Sequence, residues 1–502
     1  MKRFLSLLIS IMMLTSFINV VVAENSITLN PGDSIQQAID DIGTEGTITL
    51  NPGVYTGNGN YNIVIKNKKI SIQSNGDATI DAESRGRIFS VAIDSTLNLA
   101  NVKLDNGYLT GNGNNGASIE NNGTCTVTNS ILSNNYAEYG GAAINNNGTL
   151  TVTDSTMTNN TAQATYRAGA GIRNYGECYV YRSTFDNNIG TGKFCSGGAI
   201  MSAGGKKIEI KDSTFIENLA GYGGAIYISS KDNGTITNNT FTNNSAGKYG
   251  SGLANYGNCD VSDSKFTANS VSIGGALYNN GTIRLDSSNF TKNEATAEDG
   301  SSGGALLNDK VCTIAKTKFT ANSAYTGGAI TNKGDMNITE TILNNNSVSF
   351  RGGAIYNDNG DLNINGGTLA NNSILNDNSA DNGGAVSNNM GNLTITDSSF
   401  ENNNAKPGEG NYGQHGCGGA IDNLKGNLIV SNTKFDSNHG RYGGAINSYY
   451  GYLKLINCQI VNNEADSAGG GVCSNAGTQD IDNQTMSKFD SNKPGDMFHF
   501  TG

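Results

Sequence analysis

The sequence predicts an all-β protein that folds as a single right-handed parallel β-helix, with one coil for each copy of a repeat. Three observations predict this fold: a repeat with a mean period of about 27 residues, apolar residues spaced two apart within each copy, and turns rich in glycine and asparagine between them. One copy has too few apolar residues to fold alone, so neighbouring copies must stack. A short helix is expected to cap the N-terminal end of the stack.

The repeat is anchored on the tetrapeptide GGAI and its variants, which occur fourteen times. Stacking would place the last residues of these copies above one another. They are Ile119, Ile144, Ile172, Ile200, Ile226, Leu253, Leu277, Leu306, Ile330, Ile355, Val386, Ile421, Ile446 and Val472.

A second phrase, typified by NGTLTVTDSTMTNN from Asn147, lies between the anchors. Its alternating apolar residues, as in Leu150 and Val152, predict a strand with one buried face. The phrase ends in Phe-x-x-Asn, and coils about 4.8 Å apart would stack the apolar residue of each copy on the next. That position holds Leu132, Met157, Phe185, Phe215, Phe241, Phe266, Phe290, Phe319, Leu343, Leu369, Phe400, Phe435, Ile460 and Phe489.

Glycine pairs and asparagines account for the polar character of the corners. Glycine allows backbone conformations that other residues resist, and asparagine tolerates the left-handed region better than most side chains. Stacked asparagine side chains are also expected to hydrogen-bond one another along the axis, as amide ladders do in other stacked-strand structures.

Composition and charge limit the classes of function. The chain has 502 residues, a net charge of −11, only 15% charged residues and no tryptophan. Because the negative charge is spread thinly along the chain, it argues against nucleic acid or an anionic membrane surface as a partner.

Residues 1–23 have the features of an export signal. A basic start is followed by an apolar run to Val22, and small residues up to Ala23 form a cleavage site. The alternative is an uncleaved membrane anchor, which the serines within the run disfavour. The mature chain is therefore expected to be secreted or held at the cell surface, associated with a membrane only through this segment or a separate anchor.

Residues 24–110 are expected to form the N-terminal cap and the first, less regular coils, and residues 111–502 the coils of the repeat. Asp33 or Ser34 can cap a short helix that ends at Ile42. Such a helix would cover the open apolar end of the first coil. The apolar residues on its inner face would be Ile35, Ala38, Ile39 and Ile42.

Four of the eight cysteines fall at the first inward position of the alternating strand, namely Cys125, Cys178, Cys259 and Cys312. In neighbouring coils Leu150, Ile236 or Ile283 is expected at that position, so no two of these thiols are adjacent. They are interpreted as small buried apolar residues. Cys458 and Cys473 lie close in sequence, and a disulfide bond between them is left open.

The combination of GGA[ILV] with FxxN resembles the repeat of chlamydial polymorphic outer membrane proteins. The asparagine-rich sequence behind an export signal resembles even more the adhesin-like β-helix proteins of methanogenic archaea. This resemblance covers residues 111–502 by motif and 24–110 by general character. It implies a non-catalytic rod at the cell surface, used for attachment or structure, whose partner is a glycan or protein on a host or neighbouring cell.

The alternative function is that of an enzyme, since the pectin-lyase-like fold also carries polysaccharide lyases and glycoside hydrolases. Such enzymes need paired carboxylates or a carboxylate and a base in the groove of the rod. The recurring acids of this chain all occupy one turn position before serine, where each is expected to bond its own backbone. They are Asp154, Asp212, Asp263 and Asp397. No catalytic or cofactor-binding residue is assigned.

Two histidines, His415 and His439, are expected in neighbouring coils. With Glu409 or Asp436 they could form a metal site. The alternative, which we favour, is that both histidines are solvated loop residues, so no metal ligand is assigned.

Two long intervals between anchors predict a raised surface. The additional residues fall between FxxN and GGA, in 371–382 and 402–417. Insertions at one corner of successive coils typically build the binding face of a solenoid. Exposed residues suited to carbohydrate or protein contact would be Tyr412, His415, Arg441 and Tyr442.

Overall fold

The computed structural model describes residues 25–111, 113–163, 168–370, 373–374, 383–405 and 418–500. These residues form a single right-handed parallel β-solenoid of about 16 turns, which confirms the predicted fold class. The predicted export signal, 1–23, lies outside the described residues. Among the residues described, no helix has the length and apolar character needed to cross a bilayer.

Each coil contributes strands to three parallel sheets, which we number in the order of one coil. Sheet 1 holds the alternating strand and the FxxN strand, as in Thr149–Thr153 and Thr156–Thr158. Sheet 3 holds the short strand that follows, as in Thr161–Ala162, and sheet 2 holds the strand that begins at the end of GGAI, as in Ile144–Asn146. The corner between sheets 3 and 2 contains the glycine pair.

The pairing register confirms the predicted stacking. Leu150 pairs with Cys125 on one side and with Cys178 on the other. The apolar residues of the FxxN position pair in an unbroken series from Leu132 to Phe489. Within this series, the ring centroids of neighbouring phenylalanines lie 4.5–5.0 Å apart, in stacked geometry. Apolar stacking therefore continues from coil to coil along the interior.

The predicted asparagine ladder is present in the same coils. The side-chain amide of Asn244 donates to Oδ1 of Asn269 at 3.0 Å, and that of Asn269 donates to Oδ1 of Asn293 at 3.0 Å. The second hydrogen of the Asn269 amide is directed to the main-chain oxygen of Phe241, 2.9 Å away. All three asparagines are fully buried, and the ladder satisfies polar groups that would otherwise destabilise the interior.

The N-terminal end carries the expected cap. Helix Ile35–Asp41 begins after Ser34, whose side chain accepts a hydrogen bond from the main-chain N–H of Gln37. The predicted inner-face residues, Ile35, Ala38, Ile39 and Ile42, are buried against the core. The first strands are Ser26–Leu29, Glu45–Leu50, Gly53–Tyr55, Ile63–Ile65, Lys69–Asp81, Phe89–Val91 and Thr96–Asp105.

The last described coil is built differently. Strands Val472–Asn475 and Thr478–Ile481 are followed by the four-residue helix Asn483–Met486. Strand Phe489–Asp490 completes the apolar series, and Met497–Phe500 pairs with Val472–Asn475 in sheet 2.

The four cysteines of the alternating strand lie at the predicted inward position, but one of their predicted neighbours is wrong. The residue paired with Cys259 is Gly234 and not Ile236, which pairs with Val261 instead. The expected position was wrong because Asn233 and Gly234, which look like a turn, are already part of strand Asn233–Thr237. All seven described cysteines are free thiols and buried, so no disulfide bond joins Cys458 and Cys473.

Candidate binding surface

The strands of sheet 3 are short, between two and five residues each. Its inward positions hold small residues such as Ala220, Ala246 and Val271, all buried. The strands of sheet 3 are Tyr108–Leu109, Tyr136–Ala137, Thr161–Ala162, Ile189–Gly190, Leu219–Tyr222, Ser245–Tyr249, Ser270–Val271, Glu294–Ala295, Ser323–Thr326, Ser347–Arg351, Ser373–Ile374, Asn404–Ala405, His439–Tyr442 and Glu464–Ala468.

Three pairs of these strands contain a shift in register. The shifts fall between Ala220 and Tyr222, between Ala324 and Thr326, and between Gly440 and Tyr442. A bulge bends its strand and redirects the side chains that follow it. The shifts therefore alter the direction of sheet 3 just before the corner that leads to sheet 2.

Aromatic residues concentrate at these bulged corners, and we call the set Tyr222, Tyr249, Tyr325, Phe350 and Tyr442 the aromatic edge. The rings of Tyr222 and Tyr249 lie 5.9 Å apart, and those of Tyr325 and Phe350 lie 5.0 Å apart and are stacked. Each bulged corner thus carries at least one aromatic ring, and two of them carry a pair from adjacent coils.

A cation lies over a ring in each part of the aromatic edge. Nζ of Lys248 is 5.1 Å from the ring centroid of Tyr249. The guanidinium carbon of Arg351 is 4.5 Å from the ring of Phe350, and that of Arg441 is 5.4 Å from the ring of Tyr442. These distances are those of cation–π contacts. The edge therefore combines flat apolar faces with positive charge in a chain whose net charge is −11.

A second group of tyrosines extends the aromatic edge into sheet 2. The ring of Tyr278 stacks on that of Tyr249 at 4.4 Å, and the rings of Tyr227 and Tyr256 lie 5.2 Å apart. The hydroxyl of Tyr278 donates to Asp309 at 2.7 Å. Burial raises the pKa of both Tyr256 and Tyr278 well above the usual range, so these rings stay neutral and act as a rigid support for the edge.

The predicted raised surface falls mostly outside the described residues. This applies to 371–372, 375–382 and 406–417, and with them to Tyr412 and His415. Arg441 and Tyr442 are half-buried and not exposed as predicted. They belong to strand His439–Tyr442, where the guanidinium carbon of Arg441 lies 5.4 Å from the ring centroid of Tyr442, so that each side chain covers part of the other.

The predicted histidine pair cannot be assembled from the described residues, because His415 and Glu409 lie outside them. Nε2 of His439 is 3.0 Å from a carboxylate oxygen of Asp466, while Asp436 is paired with Lys434 at 2.8 Å. Within the described ranges, no group of three or more histidine, cysteine or acidic side chains could hold a metal ion.

The recurring aspartates have positive φ angles, as expected of turn residues, between 48° and 54° at Asp154, Asp212, Asp263 and Asp397. The expectation that each bonds its own backbone is wrong for two of them. Asp154 accepts hydrogen bonds of 2.7 and 2.9 Å from Arg182, and Asp212 accepts one of 2.6 Å from Asn238. The side chains reach the next coil because stacking places the equivalent turn residue directly above them. The hydrogen bond from Arg182 lowers the pKa of Asp154.

Of the aromatic edge, sequence reasoning named only Tyr442, with its neighbour Arg441, and missed the other four rings, although part of the signal is visible. Inward alanines of sheet 3 follow the asparagine of FxxN by two residues, as in Asn218 and Ala220 or Asn244 and Ala246. The motif FxxNxA therefore marks the sheet 3 strand of the coils that contain it, and aromatic residues of the edge follow this motif in the sequence. The bulges themselves have no such signal, because a bulge depends on the relative lengths of two neighbouring corners.

Comparisons with known proteins agree with the fold. Residues 90–273 match the family model described as a right-handed beta helix region. A cell surface glycoprotein of Methanothermus fervidus is 32% identical over 138 residues, which is 27% of this chain. The match spans 21% of the length of that relative.

Solved structures that align along the chain include a family PL6 alginate lyase, AlyGC. It is 9% identical, over 95% of this chain and 99% of the lyase, with a TM-score of 0.29. The catalytic domain of a GH87 alpha-1,3-glucanase is 12% identical, over 95% of this chain and 68% of that domain, with a TM-score of 0.22. The A-module of the mannuronan C-5 epimerase AlgE6 of Azotobacter vinelandii is 8% identical, over 94% and 96% of the two chains, with a TM-score of 0.19.

Proposed function

We propose that this chain is a non-catalytic, adhesin-like rod, secreted or displayed at the cell surface, which attaches to a glycan or protein of a neighbouring surface. The observation that carries the proposal is the aromatic edge, with a cation over a ring at every bulged corner. Aromatic and arginine side chains are the types enriched where proteins bind partners.

The rod supports this role because it holds several contact points in fixed positions. Tyr222 and Tyr249 lie in adjacent coils, as do Tyr325 and Phe350. A ligand with repeating units, such as a surface polysaccharide, could engage more than one of these corners at once. Simultaneous contacts raise the apparent affinity even when each contact is weak.

The location at the surface is supported by two observations of different kinds. The first 23 residues have the pattern of an export signal. The relative from Methanothermus fervidus is named a cell surface glycoprotein.

The proposal is tested by measuring how beads coated with the purified chain bind to arrays of surface glycans and extracellular proteins. The wild type is expected to bind at least one class of target. Replacing Tyr222, Tyr249, Tyr325 and Phe350 together by alanine should reduce that binding by about tenfold or more, which corresponds to about 1.4 kcal/mol. The matched control replaces two tyrosines on the outer face of sheet 1, Tyr179→Ala and Tyr181→Ala, and should bind as the wild type does.

Besides failure of the wild type to bind any target, two outcomes would contradict the proposal. Equal loss of binding in the aromatic-edge variant and in the sheet 1 control would show that the edge has no special role. New unsaturated or reducing ends, formed when the chain is incubated with pectin, alginate or alpha-glucans, would favour the alternative of a polysaccharide lyase or glycoside hydrolase.

A further inference from the structure

One groove on the outer face of sheet 3 combines basic side chains with exposed apolar surface. It has a volume of about 790 Å³ and lies where the chain enters the first bulged corner. We call it the lysine groove. Its described lining residues are Gly190, Thr191, Gly192, Lys193, Phe194, Leu219, Ala220, Gly221, Tyr222, Gly247, Lys248 and Ile273.

The charge of the groove is opposite to that of the chain. Lys193 and Lys248 line it, and none of its described lining residues is acidic. Nζ of Lys248 lies 5.8 Å from the ring centroid of Tyr222, and Nζ of Lys193 lies 5.8 Å from that of Phe194. Within the part of the chain that the structure describes, neither lysine forms an ion pair. The positive charges of both lysines are therefore available to attract an anion.

The walls of the groove are apolar and accessible. Phe194 is 37% exposed and Leu219 is 39% exposed, whereas eight of the nine phenylalanines at the FxxN position are fully buried. Gly221 and Gly247 lie in adjacent coils, and a Cβ added to Gly247 would come no closer than 3.6 Å to Gly221. Gly247 is exposed, so the absence of a side chain there leaves its backbone open to a ligand, whereas Gly221 is buried against the main-chain oxygen of Lys193.

These features together fit a sugar better than a peptide. An extended peptide binds a sheet by pairing with an unpaired strand edge. Leu219–Tyr222 offers no such edge, because it already pairs with Ile189–Gly190 on one side and with Ser245–Tyr249 on the other. A sugar ring has an apolar face, which suits Phe194 and Tyr222, and a polar rim, which suits the exposed backbone.

We propose that the lysine groove binds acidic oligosaccharides, with sugar rings against Phe194 and Tyr222 and the carboxylate or sulfate groups facing Lys193 and Lys248. This inference rests on the proposed function, because it names the ligand class for one part of the aromatic edge. Binding should weaken as salt is added, since exposed charge pairs are screened at physiological ionic strength.

The test uses the full chain, with oligogalacturonate and its carboxyl-reduced counterpart as probes. The wild type is expected to bind the acidic oligomer. Its affinity should fall about tenfold, which corresponds to about 1.4 kcal/mol, in the variant Lys193→Gln/Lys248→Gln, because both charge pairs with the ligand are removed. Phe194→Ala should weaken binding of the acidic oligomer as well. The matched control is Lys207→Gln, since Nζ of Lys207 lies 5.6 Å from the ring of Tyr179 in sheet 1, and it should not change the affinity.

The outcomes separate this inference from the proposed function. Equal binding of the acidic and carboxyl-reduced oligomers, or unchanged affinity in Lys193→Gln/Lys248→Gln, would overturn the lysine groove as an acidic-sugar site. If the chain still bound other targets through the aromatic edge, the proposed function would stand. Competition by polyglutamate as strong as that by oligogalacturonate would identify an acidic peptide as the ligand and overturn the inference. Failure of the wild type to bind any surface target would overturn both proposals.

Discussion

At the residue scale, asparagine does most to make the interior of this rod possible. Within the FxxN ladder, Oδ1 of an asparagine accepts two hydrogen bonds from the preceding asparagine, one from its backbone N–H and one from its side chain, as Asn269 does from Asn244. Its own amide hydrogens go to the next asparagine and to a main-chain oxygen. A hydrogen-bond network in which every group has a partner stabilises the folded state. Removing one member leaves its neighbours buried without hydrogen-bond partners.

Asn269→Ala should therefore destabilise the solenoid by about 3 kcal/mol, because it leaves several buried donors and acceptors unsatisfied. Urea unfolding of the variant and the wild type measures the difference in the free energy of unfolding. The control is Asn363→Ala, which removes an asparagine from an exposed contact with Asn337 and should change stability by less than about 0.5 kcal/mol. Equal effects of the two substitutions would contradict the role of the buried ladder.

The buried thiols give a prediction about pH. Burial raises the pKa of Cys125 and Cys178 from the ordinary value of 9.0 to about 12. Between these values the unfolded chain loses the thiol protons and the folded chain keeps them, so the free energy of unfolding falls as the pH rises above about 9. From about pH 8 to about pH 10, the wild type should lose about 1.4 kcal/mol more for each of the two thiols than Cys125→Ala/Cys178→Ala does. Parallel pH profiles of the two proteins would contradict this account.

Most residue positions could be predicted because stacking makes each coil a template for the next. The apolar series from Leu132 to Phe489 follows from the repeat alone. Gly234 could not be placed, because an Asn-Gly pair reads as a turn in one coil and is held as a strand by the neighbouring coils. At this position, pairing with the strands on both sides outweighs the local preference of Asn233 and Gly234 for a turn.

At the element scale, the N-terminal helix and the bulged strands of sheet 3 differ in how far the sequence predicts them. The helix was predictable, because an N-cap and four apolar residues on one face define it. The bulged strands of sheet 3 were not, since the register shifts arise from differences between adjacent corners. The candidate binding surface therefore lies where the repeat is least regular.

The capping helix gives a prediction at this scale. Ile39 is 1% exposed and packs in the main core, so Ile39→Ala should cost about 3 kcal/mol through the cavity it leaves. Because each coil contacts only its neighbours, the loss should be confined to the first coils. Hydrogen exchange should speed up in strands Ser26–Leu29 and Glu45–Leu50 and stay unchanged in Tyr452–Ile456.

The control for this prediction is Asp40→Ala on the outer face of the same helix, where the carboxylate accepts only an exposed hydrogen bond from Gln36. It should leave exchange in both regions nearly unchanged. Faster exchange throughout the chain in Ile39→Ala would show that the rod unfolds as one cooperative unit, against the nearest-neighbour account.

At the scale of the whole molecule, the chain combines a uniform interior with a varied outer edge. The interior repeats apolar residues and asparagines coil after coil, and it fixes the position of every corner. The aromatic edge and the lysine groove occur at only a few of the corners between sheets 3 and 2 that the structure describes. Both proposals thus depend on one property, namely that equivalent residues of successive coils lie above one another in parallel and in register.

Distances between spin labels measure this property directly. Thr151 and Asn337 are equivalent positions of sheet 1 separated by seven coil steps, and Thr151 and Lys454 are separated by eleven. Cys417, the eighth cysteine, lies outside the described residues and is replaced by serine so that it cannot take up a label. Labels on cysteines introduced at these positions should lie about 34 Å and about 53 Å apart, in proportion to the number of coils. Separations much shorter than these, or independent of the number of coils, would contradict the stacked parallel solenoid on which both proposals depend.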